Sequence, residues 1–320
     1  MTTLRWRTLV LTVVMILSPM VALAQTGESA GMITEIKVGK GRVEVKSAGK
    51  PDRPAAPFLA LRAGDTVRAT DNAFAVVLLT GGRGTVKVEA SNSPYVVAAG
   101  AAGDSKLQKA QSLVAGSVGF LGSGSGDPPK AVLSTRSAGR PAVILSPRDM
   151  AVLPGPLTFE WMGTQFARYT VRISTPSGVV LEKKGVVGAR FEYPSDAPAL
   201  KSGVRYTFGV EPATGAPQQT SFEVVDATRA ETIRQNLKDL ADGLGPNVPP
   251  NTTVAIRAGT LAREGLLHDA RQVVMAALAR DPDEPSLHTL LGQIYQKTGL
   301  PEQAAESFDE ANFLLTRGAN

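Results

Sequence analysis

Two histidines, His268 and His288, are the side chains best suited to acid–base or metal chemistry in this chain of 320 residues. A metal site or a catalytic imidazole needs further ligands, or a carboxylate that orients the ring. Asp269 adjoins His268, but neighbouring residues of a helix point in different directions. We therefore predict packing or surface roles for both histidines, no metal site and no cofactor.

The sequence offers little nucleophilic chemistry. The chain has no cysteine, which excludes thiol nucleophiles, zinc-thiolate sites, iron–sulfur clusters and disulfides. Segment 122–129 alternates glycine and serine before two prolines, but no frame of it fits the Gly-x-Ser-x-Gly pattern of a nucleophile elbow. Gly64 and Asp65 fit a turn at a strand entry, where aspartate binds backbone N–H groups. We predict that the protein is not an enzyme.

A sequence pattern near the C-terminus occurs twice, and its two copies lie 34 positions apart. Small residues, which allow paired helices to approach closely, recur at equivalent positions: Ala258 and Gly292, Ala270 and Ala304, and Ala277 and Ala311. The pattern resembles the tetratricopeptide repeat, a helix–turn–helix unit, and this implies two repeats over 251–320. The resemblance also implies a groove that binds a protein partner, lined here by Thr252, Arg263, Thr289, Gln293, Gln296 and Lys297.

Further elements must position this helical module. An apolar stripe of period 3.6 predicts a packing helix over 228–245, directly before the repeats. Seven short β-branched runs between 141 and 226 resemble an immunoglobulin-like or fibronectin type III-like sandwich. In that family a tyrosine ties its strand to the preceding loop, a role that falls on Tyr206 here, and Trp161 is expected to be the largest core residue. A flexible Gly/Ser/Pro linker is predicted at 121–140.

Residues 31–120 are predicted to form another β-domain. Gly41–Val43, then Leu61–Val67 with its Gly-Asp turn, then Phe74–Leu78 follow one another in an order that resembles the FecR domain. That resemblance implies a small periplasmic β-domain. FecR-type sensors relay signals through a membrane helix, which we do not expect in the mature form of this chain.

The first 24 residues have the layout of a secretory signal peptide. Arg5 and Arg7 form a basic start, an apolar run follows, and Ala22-Leu23-Ala24 provides a small-x-small cleavage site. The apolar run is shorter than the roughly 20 residues that a spanning helix needs. We predict cleavage after Ala24 and a periplasmic or secreted protein without a membrane span, with an uncleaved anchor as the alternative.

The predicted fold is multidomain: two all-β domains, FecR-like and then immunoglobulin-like, followed by an all-α tetratricopeptide module. A net charge of +5, scattered along the chain, does not indicate a nucleic-acid partner. The predicted function is a non-enzymatic exported adaptor that docks protein partners of the cell envelope. The alternatives are a protein that binds polysaccharide or peptidoglycan, and an envelope sensor that acts through a separate membrane protein.

Overall fold

A computed structural model gives the fold of the chain and describes residues 29–81, 83–99, 108–122, 142–164, 166–244 and 247–317. The predicted signal peptide, 1–24, and most of the predicted linker, 121–140, lie outside these residues. Eight strands come first: β1 (Gly31–Lys37), β2 (Val43–Lys46), β3 (Arg53–Pro54), β4 (Ala60–Leu61), β5 (Thr66–Ala69), β6 (Phe74–Leu79), β7 (Thr85–Glu89) and β8 (Tyr95–Val96). They form two antiparallel sheets, ordered β4-β1-β6-β7 and β3-β2-β5-β8.

The two central strands of the first sheet, β1 and β6, are buried on both faces. Ile33 and Val77 point into the core between the two sheets, where they pack with buried residues of β2 and β5. Met32 and Leu78 point to the opposite face and join a core built mainly from helices. Because successive strand residues face opposite sides, this sheet forms a middle layer between the second sheet and the helices.

Eight more strands form the second β-region: β9 (Val143–Ser146), β10 (Met150–Val152), β11 (Thr158–Met162), β12 (Arg168–Thr175), β13 (Gly178–Val187), β14 (Arg190–Glu192), β15 (Arg205–Pro212) and β16 (Gln218–Val224). They form a five-stranded sheet, β10-β16-β15-β12-β13, and a three-stranded sheet, β14-β11-β9. Trp161 is 1% exposed in the core of this region, as predicted. The Tyr206 hydroxyl accepts a hydrogen bond from the backbone N–H of Lys201 at 2.7 Å, so the predicted tie to the preceding loop is confirmed.

Six α-helices lie within the described part of the chain: α1 (Gln108–Gly122), α2 (Ala227–Leu244), α3 (Pro250–Arg263), α4 (Leu267–Leu278), α5 (Pro285–Lys297) and α6 (Pro301–Thr316). Three of them begin with proline, which suits a helix start because the first N–H has no helical acceptor. Helix α3 packs on α4, and α5 on α6, while α1 packs on both α2 and α3. None of these helices is long and apolar enough to cross a bilayer.

The predicted fold class, two all-β domains followed by an all-α tetratricopeptide module, is wrong. The chain is a mixed α and β structure in which no separate hairpin module stands apart. Helix α1 comes from the region predicted as all-β, and α3 and α5 pack against β1. Met32, Phe58 and Leu78 share one core with the C-terminal helices, because four helices alone leave apolar faces that other elements must cover.

Candidate functional site

The six residues predicted to line a binding groove have different environments. Thr252 and Gln293 are buried and Thr289 is half-buried. The other three are exposed: Arg263, Gln296 and Lys297. The Thr252 hydroxyl donates to Glu35 Oε1 at 2.7 Å and lies 2.8 Å from the Thr34 hydroxyl, so it joins the helices to β1. The Thr289 hydroxyl donates to the backbone carbonyl of Pro285, one turn earlier, at 2.9 Å. Both threonines therefore make contacts within the fold.

Three of the predicted residues converge on helix α1. The Gln293 amide donates to the backbone carbonyl of Leu121 at 3.2 Å, and the Lys297 ammonium lies 4.7 Å from the centre of the Phe120 ring. The Arg263 guanidinium lies against Gly116, where a Cβ atom would collide with it. The face predicted to bind a partner thus already holds a helix of the same chain. We call this face, lined by Gly259, Thr260, Arg263, Gln293 and Lys297, the α1 groove.

Close contact between α1 and α3 depends on small side chains. A Cβ atom at Gly259 would lie 3.2 Å from Leu121 Cγ and 3.3 Å from Ser117 Cβ, which is tighter than ordinary packing. The hydroxyls of Ser117 and Thr260 are 2.5 Å apart, and both residues are buried. Glycine at this contact lets the backbone of α3 approach the side chains of α1.

The sequence pattern did not predict the role of α1, because its residues fall in the predicted β-domain, 31–120, and at the start of the predicted linker, 121–140. Among the side chains of α1 whose burial the structure describes, those of Leu113, Ser117 and Leu121 are buried. Their spacing of four residues places them on one helical face, a signal that the sequence contained. Many glycines and alanines weaken the apolar periodicity of the segment and obscured that face.

A buried acidic pair joins β1 to the starts of α3 and α5. Glu35 Oε1 accepts the backbone N–H of Thr252 at 2.7 Å, and Glu284 Oε1 accepts that of Ser286 at 3.3 Å, so each carboxylate caps one helix. Burial, followed by the Glu35 carboxylate, raises the pKa of Glu284 to about 7. Lys37 offsets part of this effect, with its ammonium 3.7 Å from Glu284 Oε2. The pair is a structural connection, because Glu284 has no exposed side-chain surface.

The structure brings one serine and one histidine together where α4 meets the second β-region. His268 Nδ1 lies 2.8 Å from the Ser146 hydroxyl, and both residues are almost wholly buried. Burial, and then the nearby Arg271 charge, lowers the pKa of His268 to about 4, which leaves the imidazole neutral. Asp269 accepts the backbone N–H of Leu153. This buried hydrogen bond packs α4 against the second β-region.

An ion pair completes this interface. The Arg271 guanidinium binds the Glu160 carboxylate and donates to the Tyr295 hydroxyl at 3.1 Å. Arg271 therefore connects α4 to both β11 and α5. His288, the other histidine, lies 2.7 Å through Nε2 from the backbone carbonyl of Pro282. Within the described ranges, no group of three or more His, Asp or Glu side chains is arranged to hold a metal ion.

Taken together, these contacts hold elements in place and leave the α1 groove as the candidate functional site. This groove contacts α1 through a hydrogen bond to one backbone carbonyl, a contact between an ammonium group and an aromatic ring, and close packing at Gly259.

Comparison with known proteins assigns no family to the chain. Neither protein-family models nor curated proteins match it. Among solved structures, a β-1,2-glucanase from Parabacteroides distasonis is similar at a TM-score of 0.23 and 10% sequence identity, over 90% of this chain and 50% of the glucanase chain. The chain spans about half the length of that protein. So low a TM-score carries no fold or activity over, and the FecR-like and immunoglobulin-like resemblances remain predictions.

Proposed function

We propose that the protein is a non-enzymatic exported adaptor that docks a partner by receiving a helix of that partner in the α1 groove. One observation carries this proposal: the groove already accommodates a helix that comes from elsewhere in the chain. Binding of a helix in a groove between helices is a recurrent mode of protein recognition. Export is inferred from the signal sequence alone.

The contacts to α1 are of a kind that another helix could reproduce. Gln293 binds a backbone carbonyl, which any helix offers near its C-terminus, where carbonyls lack helical partners. Lys297 requires only an aromatic ring at the position of Phe120. A side chain at the position of Gly116 would displace the Arg263 guanidinium, the end of a flexible side chain, so a small residue is favoured there. A partner helix should therefore present a small residue, an aromatic residue four positions later and then an apolar residue that packs at Gly259 as Leu121 does.

Helix α1 competes with any such partner. Because α1 belongs to the same chain, its effective concentration at the groove is high, and the apparent affinity for a partner falls by the fraction of molecules with an open groove. Partners bind only those molecules in which α1 has left the groove, so a free copy of the α1 helix also binds, with an apparent affinity reduced by that fraction. A covalent bond that holds α1 in place should abolish this binding.

The absence of cysteine makes that bond simple to introduce. In the double variant Ser117→Cys, Thr260→Cys, the two side chains that now lie 2.5 Å apart would form a single disulfide across the groove. A fluorescent peptide with the sequence of residues 108–122 serves as the probe. We expect the reduced variant to bind this peptide, and the oxidised variant to lose binding by about tenfold or more, as read by fluorescence anisotropy.

Each single cysteine variant, treated with the same oxidant, is the matched control and should bind the peptide in both states. Equal binding by the oxidised and reduced double variant would contradict the proposal, as would failure of the peptide to bind the wild-type chain. Crosslinking of the locked and unlocked forms in the envelope fraction would then identify the natural partner.

A further inference from the structure

The outer face of the five-stranded sheet carries a row of residues that the groove does not involve. Four positions are neighbours across the strands: Glu182 on β13, Arg172 on β12, Gly209 on β15 and Gln219 on β16. Thr170 and Glu211 form the row on one side, and Ser174 and Thr207 the row on the other. Rows on one face are about 7 Å apart along a strand, so the three span about 14 Å.

Gly209 is unusual because nothing in the fold requires a glycine there. It lies within β15, between β12 and β16, where glycine weakens a strand. Its φ angle is outside the left-handed region, and an added Cβ would meet only two carbonyl oxygens at 3.8 Å, an ordinary contact distance. A Cβ atom would therefore fit at this position of the strand. What the glycine provides is a gap in the outer face.

This gap opens a shallow cavity of about 210 Å³. Most of its lining residues have polar side chains, among them Thr170, Arg172, Thr207 and Gln219, while Val210 and Pro217 add apolar surface. Among the described residues, the side chains of Thr170, Thr207 and Gln219 make no hydrogen bond, so their donors and acceptors face solvent or a ligand. Because Gly209 has no side chain, the hydroxyl, amide and guanidinium groups around it remain accessible. A larger side chain at this position would cover them.

The charges of the cavity argue against an anionic ligand. The Arg172 guanidinium is paired with Glu182 at 2.9 Å, and Glu211 adds a second carboxylate on the same face. A peptide strand is disfavoured as well, because the backbone groups of β12, β15 and β16 are already used in the sheet and only side chains remain to bind. The lining also has no aromatic anchor of the type that dominates protein interfaces.

We propose that this cavity, which we call the Gly209 cleft, binds a neutral linear glycan. Vicinal hydroxyls of a sugar both donate and accept, which matches the amide and the paired guanidinium–carboxylate groups of the Gly209 row and the hydroxyls of the flanking rows. The gap at Gly209 admits the ring of one sugar, and the flanking rows contact its neighbours along the chain. This inference is independent of the α1 groove, which lies on other elements.

The experiment titrates the full mature chain with short β-1,4-linked oligomers of N-acetylglucosamine and of glucose, which represent the glycan strand of peptidoglycan and a neutral glucan. We expect one of the two to bind, and Gly209→Val to weaken that binding by about tenfold or more in calorimetry. Valine favours β-strands, so the thermal midpoint of the variant should stay equal or rise. Loss of binding with retained stability separates a ligand role from a structural one.

Arg205→Gln is the matched control, because Arg205 lies on the same strand and face, pairs with Glu223 and does not line the cleft. Its affinity should stay within about twofold of the wild type. The proposal is overturned if neither oligomer binds the wild-type chain, or if Gly209→Val binds as well as the wild type. The disulfide-locked variant should bind the oligomer normally, so failure of one proposal leaves the other testable.

Discussion

The ionisation of Glu284 is strongly tied to the fold. Its pKa is raised to about 7 by burial and by the Glu35 carboxylate, so the folded state favours the protonated side chain. The unfolded chain has the ordinary glutamate pKa of 4.5. A raised folded-state pKa stabilises the protein below the unfolded value, and that stabilisation is lost as the pH rises through the folded value. Glu284 therefore lowers the free energy of unfolding between pH 4.5 and about 7.

The variant Glu284→Gln tests this dependence. Glutamine keeps an oxygen that can accept the N–H of Ser286 and carries no charge, so its contribution does not change with pH. The gain in stability of the variant over wild type should grow by roughly 3 kcal/mol from pH 4.5 to 7.5, on the basis of the shift in pKa. Urea unfolding at several pH values gives this difference.

Glu306→Gln removes the same charge from an exposed position on α6 and should show no such trend. Comparison with wild type at each pH is needed because His268 acts in the opposite direction. Burial lowers its pKa to about 4, so the stability it contributes is present above pH 6.5 and is lost as the pH falls through 4. A constant difference between Glu284→Gln and wild type from pH 4.5 to 7.5 would show that Glu284 ionises in the folded protein as it does in the unfolded chain, and would contradict the raised pKa.

At the scale of elements, α1 is held by close packing at one residue. In Gly259→Leu the new side chain would occupy the space of Leu121 and Ser117, which approach the Cβ position to 3.2 and 3.3 Å. Overpacking of this kind costs about 1–3 kcal/mol, which we expect the molecule to avoid by releasing α1. Amide hydrogen exchange over 108–122 should then accelerate, while exchange in β12 and β15 stays as in wild type.

Gly119→Ala is the control on α1 itself, since nothing lies within 4 Å of its Cβ position and alanine favours the helix by about 1 kcal/mol. It should slow exchange over 108–122. Slow exchange in Gly259→Leu as well would mean that the groove adapts by repacking, and that release of α1 is not needed to admit a bulkier helix.

The sequence predicted the positions of strands and helices better than it predicted which of them pack together. Strand β6 coincides with the run Phe74–Leu78, and α2 (Ala227–Leu244) with the apolar stripe of period 3.6 over 228–245. A hydrophobic period of two or 3.6 residues indicates which face of a strand or helix is buried, but not which element packs against that face. The second buried face of β1 was therefore not foreseen, nor was the place of α1. Of the six predicted groove residues, Thr252 and Thr289 form hydrogen bonds away from α1, to Glu35 and to the carbonyl of Pro285.

Contacts between distant parts of the chain give the whole molecule its organisation. Glu35 and Thr252 are 217 residues apart, yet their hydrogen bonds join the first sheet to α3. Lys37 reaches Asp281 in the same region, at 2.9 Å. No local pattern encodes such pairs, since each residue is an ordinary polar side chain within its own segment. The second β-region differs, because its aromatic core is contributed by its own strands.

This difference predicts an uneven response to removal of the C-terminal helices. In a mature chain that ends at residue 246, Met32, Phe58 and Leu78 would lose the helices that bury them, and Glu35 would lose its partner on α3. Amides of β1 should then lose protection from exchange, and the shortened chain should bind a hydrophobic dye. Trp161, the one tryptophan left after removal of residues 1–24, should keep its buried emission, because its neighbours are all present. Protection of β1 equal to that in the full-length mature chain would contradict a shared core and would show that the first sheets fold without the helices.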